Sequence, residues 1–554
     1  MGSGAEEHTF DYLIAGSGTA GCVLANRLSA NRELSVCMVE AGPPDTNPLI
    51  HIPAAVAALI NHKTLGWGYQ TVPQPGMGGR EIPIPRGRVL GGCSSTNGMV
   101  YFRGHPRDFD DWAASGNTGW SFQEVLPYFT RSEDNSSFRE TLWHGTDGPM
   151  RVTDIEQPNP LNHSFLEATG SLGYPRCPDF NGTLEPEGFN LRQANIRNGR
   201  RESGVTAFIN PIKRRSNLRI MTGALVTRVL LEGKRAVGLE INVAGTARRL
   251  RARREVILAG GTFGSAQILL LSGIGPGQEL AEMGILVRHE LPAVGKNFQD
   301  HVAVGIINRT KNTESYGVSL KALPKDILSV FNYLLFRRGT LSSNVFESMG
   351  FLRTVEGLDR PDIQFVFQPA IRPKPGIPVP IGHGYAMNPV LLYPQSRGAV
   401  TLASPDPHVA PRIDPQLLSV PEDIEPLYRS ILISRRIFQA PAFARYQSEE
   451  LLPGPDRKDE ESIKEYIRQY AVTVHHPVST CRMGIGTDSV VDPELRVHGL
   501  EGLRIADASV FPGLVGGNTN AAVVMVAEKA ADLILGNPPP PAAVLETVHS
   551  SGTG

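Results

Sequence analysis

A chain that opens Asp11-Tyr-Leu-Ile-Ala-Gly16-Ser-Gly18-Thr-Ala-Gly21-Cys-Val-Leu-Ala has few choices for its beginning. A short apolar run, a glycine cluster and a helical pattern read as strand, tight turn and helix, the first half of a Rossmann unit. Gly16 permits the turn, Gly18 lets backbone come close to a pyrophosphate, and Gly21 lets the helix lie against the strand. Free N–H groups at the helix start then face the phosphates. A second apolar run, Leu34-Ser-Val-Cys-Met-Val-Glu40, ends in an acid about 20 residues past the glycines, where a carboxylate can grip a ribose hydroxyl. Together these features predict dinucleotide binding. A glycine-tolerant turn in an ordinary α/β domain would leave Glu40 without a reason.

With 554 residues the chain is too long for one core, so two or more domains are expected. Its formal net charge of −1 gives no electrostatic reason to expect nucleic acid or an anionic membrane as partner. Arginine clusters at Lys213 to Arg215 and Arg248 to Arg254 flank alternating apolar segments and read as solvated strand faces. Cys22, Cys37, Cys93, Cys177 and Cys481 are scattered without a CxxC, which argues against a zinc site and against a disulfide framework. No metal is therefore expected, and a reducing compartment suits the chain. Neither a leader before the first strand nor an apolar run of the ~20 residues that span a bilayer is read. The expected location is cytoplasmic, with peripheral membrane association left open and the oligomeric state undetermined.

Past Glu40, Ala-Gly-Pro-Pro ends the opening unit, and Asp45 to Gly79 reads as loop with Trp67 and Tyr69 as packing anchors. Then comes Arg86-Gly-Arg88-Val-Leu-Gly91-Gly92-Cys93-Ser94-Ser95-Thr96-Asn97-Gly98-Met-Val-Tyr101. Glycines followed by hydroxyls and an asparagine, opening an apolar helical run, form a cradle of backbone donors suited to the polar edge of a heterocycle and its phosphates. The alternative is a small-residue helix start packed on a strand. Helices are predicted over 121–131, 164–172, 265–271, 422–439 and 460–470, and strands over 217–221, 224–230, 236–241 and 254–259. The last of these strands runs into Gly260-Gly261-Thr262 and a second βα return. The dinucleotide domain is thus α/β, Rossmann-like and discontinuous, over 8–155, 201–307 and 465–540. Residues 156–200 and 308–464 form an α+β domain, an antiparallel sheet backed by helices. Residues 1–7 and the proline-rich tail from Pro538, 541–554 in particular, read as structureless or tag-like.

Near the end of the chain, Val474-His475-His476-Pro477 puts two histidines in an extended segment, where neighbours point to opposite faces, so at most one of them can face a given pocket. A buried strand, Leu503 to Asp507, leads into Gly516-Gly517-Asn518-Thr519-Asn520 and a long apolar helix over 521–535. The donors and positive end of that helix would stabilise negative charge beside it. Asn518 and Asn520 could equally be helix caps.

These motifs, in this order, resemble the glucose-methanol-choline (GMC) oxidoreductases, FAD-dependent enzymes, from about Phe10 to Leu535. The marks are Gly16/Gly18/Gly21 with Glu40, Arg88 to Gly92, Gly261-Thr262 to Gly275, Val294-Gly-Lys-Asn-Phe-Gln-Asp-His301, His476-Pro with Cys481 to Gly484, and Val510 to Glu528. Within the family the chain is most similar to the choline dehydrogenase and aliphatic alcohol dehydrogenase branch, through Asp45 to His51 and Leu341 to Ser348. The resemblance implies that Gly16, Gly18, Thr19, Ala20, Gly21, Glu40 and Ala41 bind the ADP half of FAD, with Val226 at the adenine. It implies Arg88, Gly91, Gly92, Ser94, Asn97, Gly98 and Val100 along the pyrophosphate and flavin, and Ala259, Gly260, Asp507, Ala508 and Thr519 elsewhere on the cofactor. His476 matches the catalytic histidine and Asn518 its partner, both against the flavin. Thr96 stands where some members carry a histidine bonded to the flavin, which implies non-covalent FAD.

An alcohol is a poor hydride donor until its O–H proton is being removed, and a neutral imidazole is a base available at neutral pH. The expected reaction is oxidation of an aliphatic or aryl primary alcohol to the aldehyde, with His476 taking the proton, flavin N5 the hydride, and a quinone or O2 as final acceptor. Phe346, Glu347, Val366 and His475 are expected in the substrate pocket. Phe346 and Phe351 suggest an apolar alcohol; Glu347 would suit cationic choline, making a choline dehydrogenase or oxidase the alternative, unless it is paired with an arginine. Two more distant readings are known in the same family. Light-driven fatty-acid decarboxylation needs a cysteine and an arginine where this chain has Phe346 and Val366, and hydroxynitrile lyase chemistry would use the flavin without redox.

Overall fold

The computed structural model describes residues 8–60, 62–139, 141–371, 381–446 and 448–545. The opening reads as expected: strand His8–Ala15, helix Thr19–Leu28 and strand Val36–Val39. Four contiguous apolar residues on each strand are buried, as a parallel sheet covered on both faces requires. The parallel part of the sheet runs Leu218–Met221, Val36–Val39, His8–Ala15, Thr246–Leu258, Leu503–Ile505. Strand Thr246–Leu258 does two things along its length. Its first half pairs antiparallel with Arg235–Val243, which pairs in turn with Ala224–Glu232, and its last residues, Val256 to Leu258, lie beside Leu503–Ile505. The arginine-rich half is largely exposed and the apolar end is buried.

The last long helix, Asn520–Leu535, packs on Thr19–Leu28 and on helix Phe122–Ser132. Ion pairs tie the three together. The Glu528 carboxylate, fully buried, accepts two bonds from Arg27 at 2.8 and 2.7 Å and lies 3.0 Å from Arg131, which also reaches Asp532 at 2.7 Å.

The second sheet is antiparallel and eight-stranded, in the order Glu449–Leu452, Ile306–Thr310, His383–Leu391, Ile363–Gln368, Ser348–Leu352, Gly188–Leu191. Short strand Val302–Ala303 is attached to it at His383–Leu391, and Val472–Thr473 pairs in turn with Val302–Ala303. Helices Pro160–Ser171, Ile424–Gln439 and Glu460–Tyr470 cover one face through Phe165, Leu427, Ile431 and Ile467. The antiparallel sheet backed by helices is therefore present as predicted.

Some local expectations need correction. The stretch 45–79 holds two short helices, Pro48–His51 and Val56–Ile60. No helix follows the Gly91-Gly92 pair: Gly92–Ser95 is one 3-10 turn, and the chain then extends. Asn97 is the reason, because its side chain accepts the Met99 N–H at 3.0 Å and Met99 takes φ +56°, which no right-handed helix tolerates. Part of the tail is ordered against the core: the Ala543 N–H donates to the Gln123 carbonyl at 2.8 Å, and Ala543 and Leu545 pack on the main cluster. Residues 1–7 and 546–554 lie outside the described residues. Helix Leu323–Phe336 escapes the sequence reading because its apolar residues face outward.

Removing the buried charge at the centre of the three-helix contact tests how much it contributes. Glu528→Gln should lower stability by about 2 kcal/mol, since both arginines are partly exposed and can recover water. The measurement is the melting temperature of the flavin-loaded protein, which should fall.

Candidate active site

The first turn is built from backbone. Gly16 has φ +107°, and a Cβ there would stand 2.4 Å from the Ala259 carbonyl oxygen. At Gly18 a Cβ would meet the nearest atom at 3.9 Å, so its open side faces a cavity. Gly18 caps helix Thr19–Leu28 without any side-chain bond, leaving the first N–H groups of the helix for a ligand. Glu40 ends its strand at the same cavity. One carboxylate oxygen accepts the Ser17 N–H at 3.1 Å and the Ser17 hydroxyl at 2.6 Å, and the other accepts the Gly42 N–H at 2.7 Å. Burial raises its pKa and these donors oppose the rise.

The cavity has a volume of about 1750 Å³. A typical small-molecule site measures roughly 300–1,000 Å³, so a dinucleotide and a substrate fit together. Gly16, Gly18, Thr19, Ala20, Glu40 and Ala41 line one part of it. Gly92, Asn97, Gly98, Val100, Val226, Ala259 and Gly260 continue the wall, and Asp507, Ala508, Asn518 and Thr519 close it. Thr96 also lines it, a side chain with no nucleophilic nitrogen to offer a flavin.

Four residues expected against the cofactor, Gly21, Arg88, Gly91 and Ser94, do not line the cavity and instead hold the cradle in shape, Gly21 by its close approach to the Gly16 carbonyl. The Arg88 guanidinium lies 5.0 Å from the Trp67 ring centroid. The Gly91 N–H donates to the Ser17 carbonyl at 3.0 Å. Ser94 donates to the Gly91 carbonyl at 2.6 Å and accepts the Gly204 N–H at 2.9 Å. Asp507, fully buried, accepts from Gly261 N, Ser265 Oγ and Ser509 N, and burial raises its pKa.

At the other end, Asn518 Nδ2 lies 3.2 Å from His476 Nε2, and His476 Nδ1 lies 2.9 Å from His301 Nδ1. If the Asn518 amide donates to Nε2, then His476 carries its proton on Nδ1 and donates it to His301, whose own proton sits on Nε2. The His476 backbone N–H donates to Asp300 Oδ1 at 2.8 Å, while Asp300 Oδ2 accepts from Thr473. Burial pushes Asp300 up to about 6 and His301 down to about 3. Burial also pushes His476 well below the ordinary histidine value, with the neighbouring His301, His475 and Arg86 adding to the shift. Both imidazoles in contact are therefore neutral at pH 7.

The two histidines do not follow the alternation expected of a strand: both His475 and His476 line the cavity. His475 has φ +69°, a left-handed residue that ends the strand geometry. Its carbonyl accepts from Arg86 at 2.5 Å and its N–H donates to Thr473 Oγ1 at 2.9 Å, contacts that fix this conformation.

Phe346 and Val366 line the cavity; Glu347 does not. Its carboxylate is turned inward, accepting from Asn159 N, Asn162 Nδ2, Tyr316 Oη and Ser343 Oγ at 2.8, 2.5, 2.7 and 2.5 Å. Arg192, not anticipated, does line it, 5.6 Å from the Phe346 ring centroid and 2% exposed. His301 was also missed, although Asp300-His301 ends one of the blocks that carried the resemblance.

A glycine cradle at helix N-termini, an acid at the end of the second strand and a neutral imidazole at the far end of one cavity define an oxidoreductase built around a bound dinucleotide. The N-terminal model of the GMC oxidoreductases matches residues 10–303 and the C-terminal model residues 394–527. An alcohol dehydrogenase [acceptor] of Pseudomonas putida is 42% identical over 528 residues, 95% of this chain and 96% of that protein. An oxygen-dependent choline dehydrogenase of Brucella suis biovar 1 is 42% identical over 531 residues, 96% of each. Among solved structures, pyridoxine 4-oxidase from Mesorbium loti superposes with a TM-score of 0.85 at 33% identity, over 94% of this chain and 98% of that one. A formate oxidase of Aspergillus oryzae RIB40, described for the modification of its FAD, gives 0.88 at 27% over 96% and 99%. The chain belongs to the GMC oxidoreductase family. FAD is its cofactor, and the cradle just described fits that group.

The cradle depends on the missing Cβ at Gly16. Gly16→Ala should force Ala259 away and loosen cofactor binding, so the variant should purify with much less visible flavin absorbance per chain than the parent.

Proposed function

We propose that the protein oxidises uncharged primary alcohols, aliphatic or aryl, to aldehydes, with His476 as the base and non-covalently held FAD as oxidant. The observation that carries this reading is the His476–Asn518 pair, 3.2 Å apart, on a cavity continuous with the glycine cradle. The substrate hydroxyl sits between His476 Nε2 and the Asn518 amide, and its proton passes to Nε2. The Nδ1–H bond to His301 orients the ring and gives the imidazolium an acceptor for its second N–H. The chemistry that bound FAD supplies is acceptance of the α-hydrogen and the two electrons that leave the carbinol carbon. The positive end of helix Asn520–Leu535, beside Asn518 and Thr519, offsets the charge that arrives with them. A quinone or O2 then takes the electrons.

Substrate charge is selected at Arg192. Met99, Val345, Phe346, Met349 and Val366 make this part of the cavity apolar. Burial lowers the Arg192 pKa to about 9, so at pH 7 it remains a cation. A quaternary ammonium there faces a buried like charge, and Glu347 is engaged elsewhere. Uncharged alcohols are thus preferred over choline.

His476→Ala should slow flavin reduction by a primary alcohol, followed by rapid mixing, by roughly 10²–10⁴-fold. Reduction at the parental rate would remove His476 from this role. Because the His476 pKa is lowered, the protonated, inactive form appears only at more acidic pH than for a free histidine. The reduction rate should therefore stay flat on lowering the pH through ~6.5 and decline below it.

Arg192→Met should raise kcat/KM for choline relative to a neutral alcohol by about tenfold or more, from Coulomb repulsion at this depth. An unchanged ratio would show that Arg192 does not set the charge preference.

A further inference from the structure

Helix Leu323–Phe336 is amphipathic in the reverse sense for a protein in water. Leu328 and Leu334 are 60% exposed, Leu335 71%, Phe336 65% and Phe331 57%, while Tyr333 is buried and Asp326, Ser329 and Asn332 are half-buried. Leu320 just before the helix is 91% exposed, and the bridged pair Val318 and Ile381 extends the apolar face. Contiguous apolar surface of this kind marks a contact with something other than water. Cations flank it: Lys321 and Lys325 at one end of the helix and Arg337 and Arg338 at the other, all exposed. Of the two acids between 311 and 338, Glu314 is paired with Arg445 at 3.3 Å and Asp326 faces the cavity.

We propose that this face seats on the surface of a lipid bilayer containing anionic headgroups. Leucines and phenylalanines enter the acyl boundary while the flanking lysines and arginines reach the phosphates. A second copy of the chain fits less well, because either relative direction of two such helices brings cationic ends onto cationic ends. The helix docks and does not span: no helix among the described residues is long and apolar enough to cross a membrane. Leu323, Lys325, Asp326, Ser329 and Val330 also line the cavity, so the docked face borders the path to the site. Apolar alcohols concentrated in the bilayer would reach the cavity without crossing bulk water. That last consequence rests on the proposed alcohol activity; the docking itself does not.

The test is flotation of the flavin-loaded full chain with vesicles of phosphatidylcholine alone and of phosphatidylcholine mixed with phosphatidylglycerol, with sedimentation velocity run alongside. The parent should float with the mixed vesicles, weakly with phosphatidylcholine alone, and less at high salt. Leu328→Glu combined with Leu335→Glu, on residues outside the cavity wall, should stay in the load fraction while turning over a short water-soluble alcohol with an artificial acceptor at the parental rate. A parent that floats with neither vesicle, or a double variant that floats as well as the parent, overturns the proposal. So does a parental dimer that the double variant breaks and vesicles do not. Docking can fail while alcohol turnover stands, and the converse, so the two readings are separable.

Discussion

The feature on which the rest depends is the close approach of backbones where the parallel strands end. A Cβ on Gly21 would stand 2.1 Å from the Gly16 carbonyl oxygen, one on Gly92 2.8 Å from Gly18 Cα, and one on Gly42 2.2 Å from the Arg88 carbonyl carbon. With the Ala259 carbonyl against Gly16, segments from four parts of the chain meet there with no side chain between them. The cradle is therefore shaped by peptide groups, whose positions follow from sheet register, and is insensitive to rotamers. Thr19 donates to Asn520 Oδ1 at 2.8 Å, which ties the start of the first helix to the start of the last. Two helix N-termini thus converge on one cavity, and their partial charges would add to hold the negative charge of a bound FAD there.

The imidazole end is organised differently, by a seam between the two sheets. Val302–Ala303 pairs with both His383–Leu391 and Val472–Thr473, so Asp300, His301 and His476 are set from one short junction. Asp300 holds the His476 backbone, His301 holds its ring, and the left-handed His475 turns the chain so that the ring faces inward. The two neutral imidazoles meet edge to face, at an interplanar angle of 87°, in a dry place, and their neutrality is what permits the contact. Charged, they would repel; neutral, one can accept a proton while the other receives its N–H.

Glycine spacing and the acid at position 40 are local patterns with a stated physical need, and they made the cradle legible in the sequence; the His476–Asn518 pairing followed only from the family resemblance. Helix Glu460–Tyr470 was legible from its periodicity, and the structure adds the N-cap Asp459, whose side chain accepts the Ser462 N–H. What could not be read depends on partners far along the chain or on the solvent. Nothing near Glu347 in sequence says that Asn159 and Asn162 will enclose it. Nothing near Arg192 says that Phe346 will lie beside it. Helix Leu323–Phe336 eludes a periodicity argument that assumes water outside, and a net charge of −1 conceals a cationic rim about one face.

Glu347 and Arg192 show why burial alone does not identify a recognition group. Four donors from four residues satisfy the Glu347 carboxylate, so little of its field or hydrogen-bonding capacity is left for a ligand. Burial raises its pKa and those same donors resist the rise, the balance of a structural anion. Arg192 is the reverse case. Among the described residues its Nε has no hydrogen-bond partner, one terminal nitrogen reaches Asn344 at 3.4 Å, and the charge of Glu347 offsets its desolvation in part. A guanidinium so incompletely satisfied at a cavity wall gains from an acceptor oxygen and loses from a neighbouring cation, which a trimethylammonium group beside it would be.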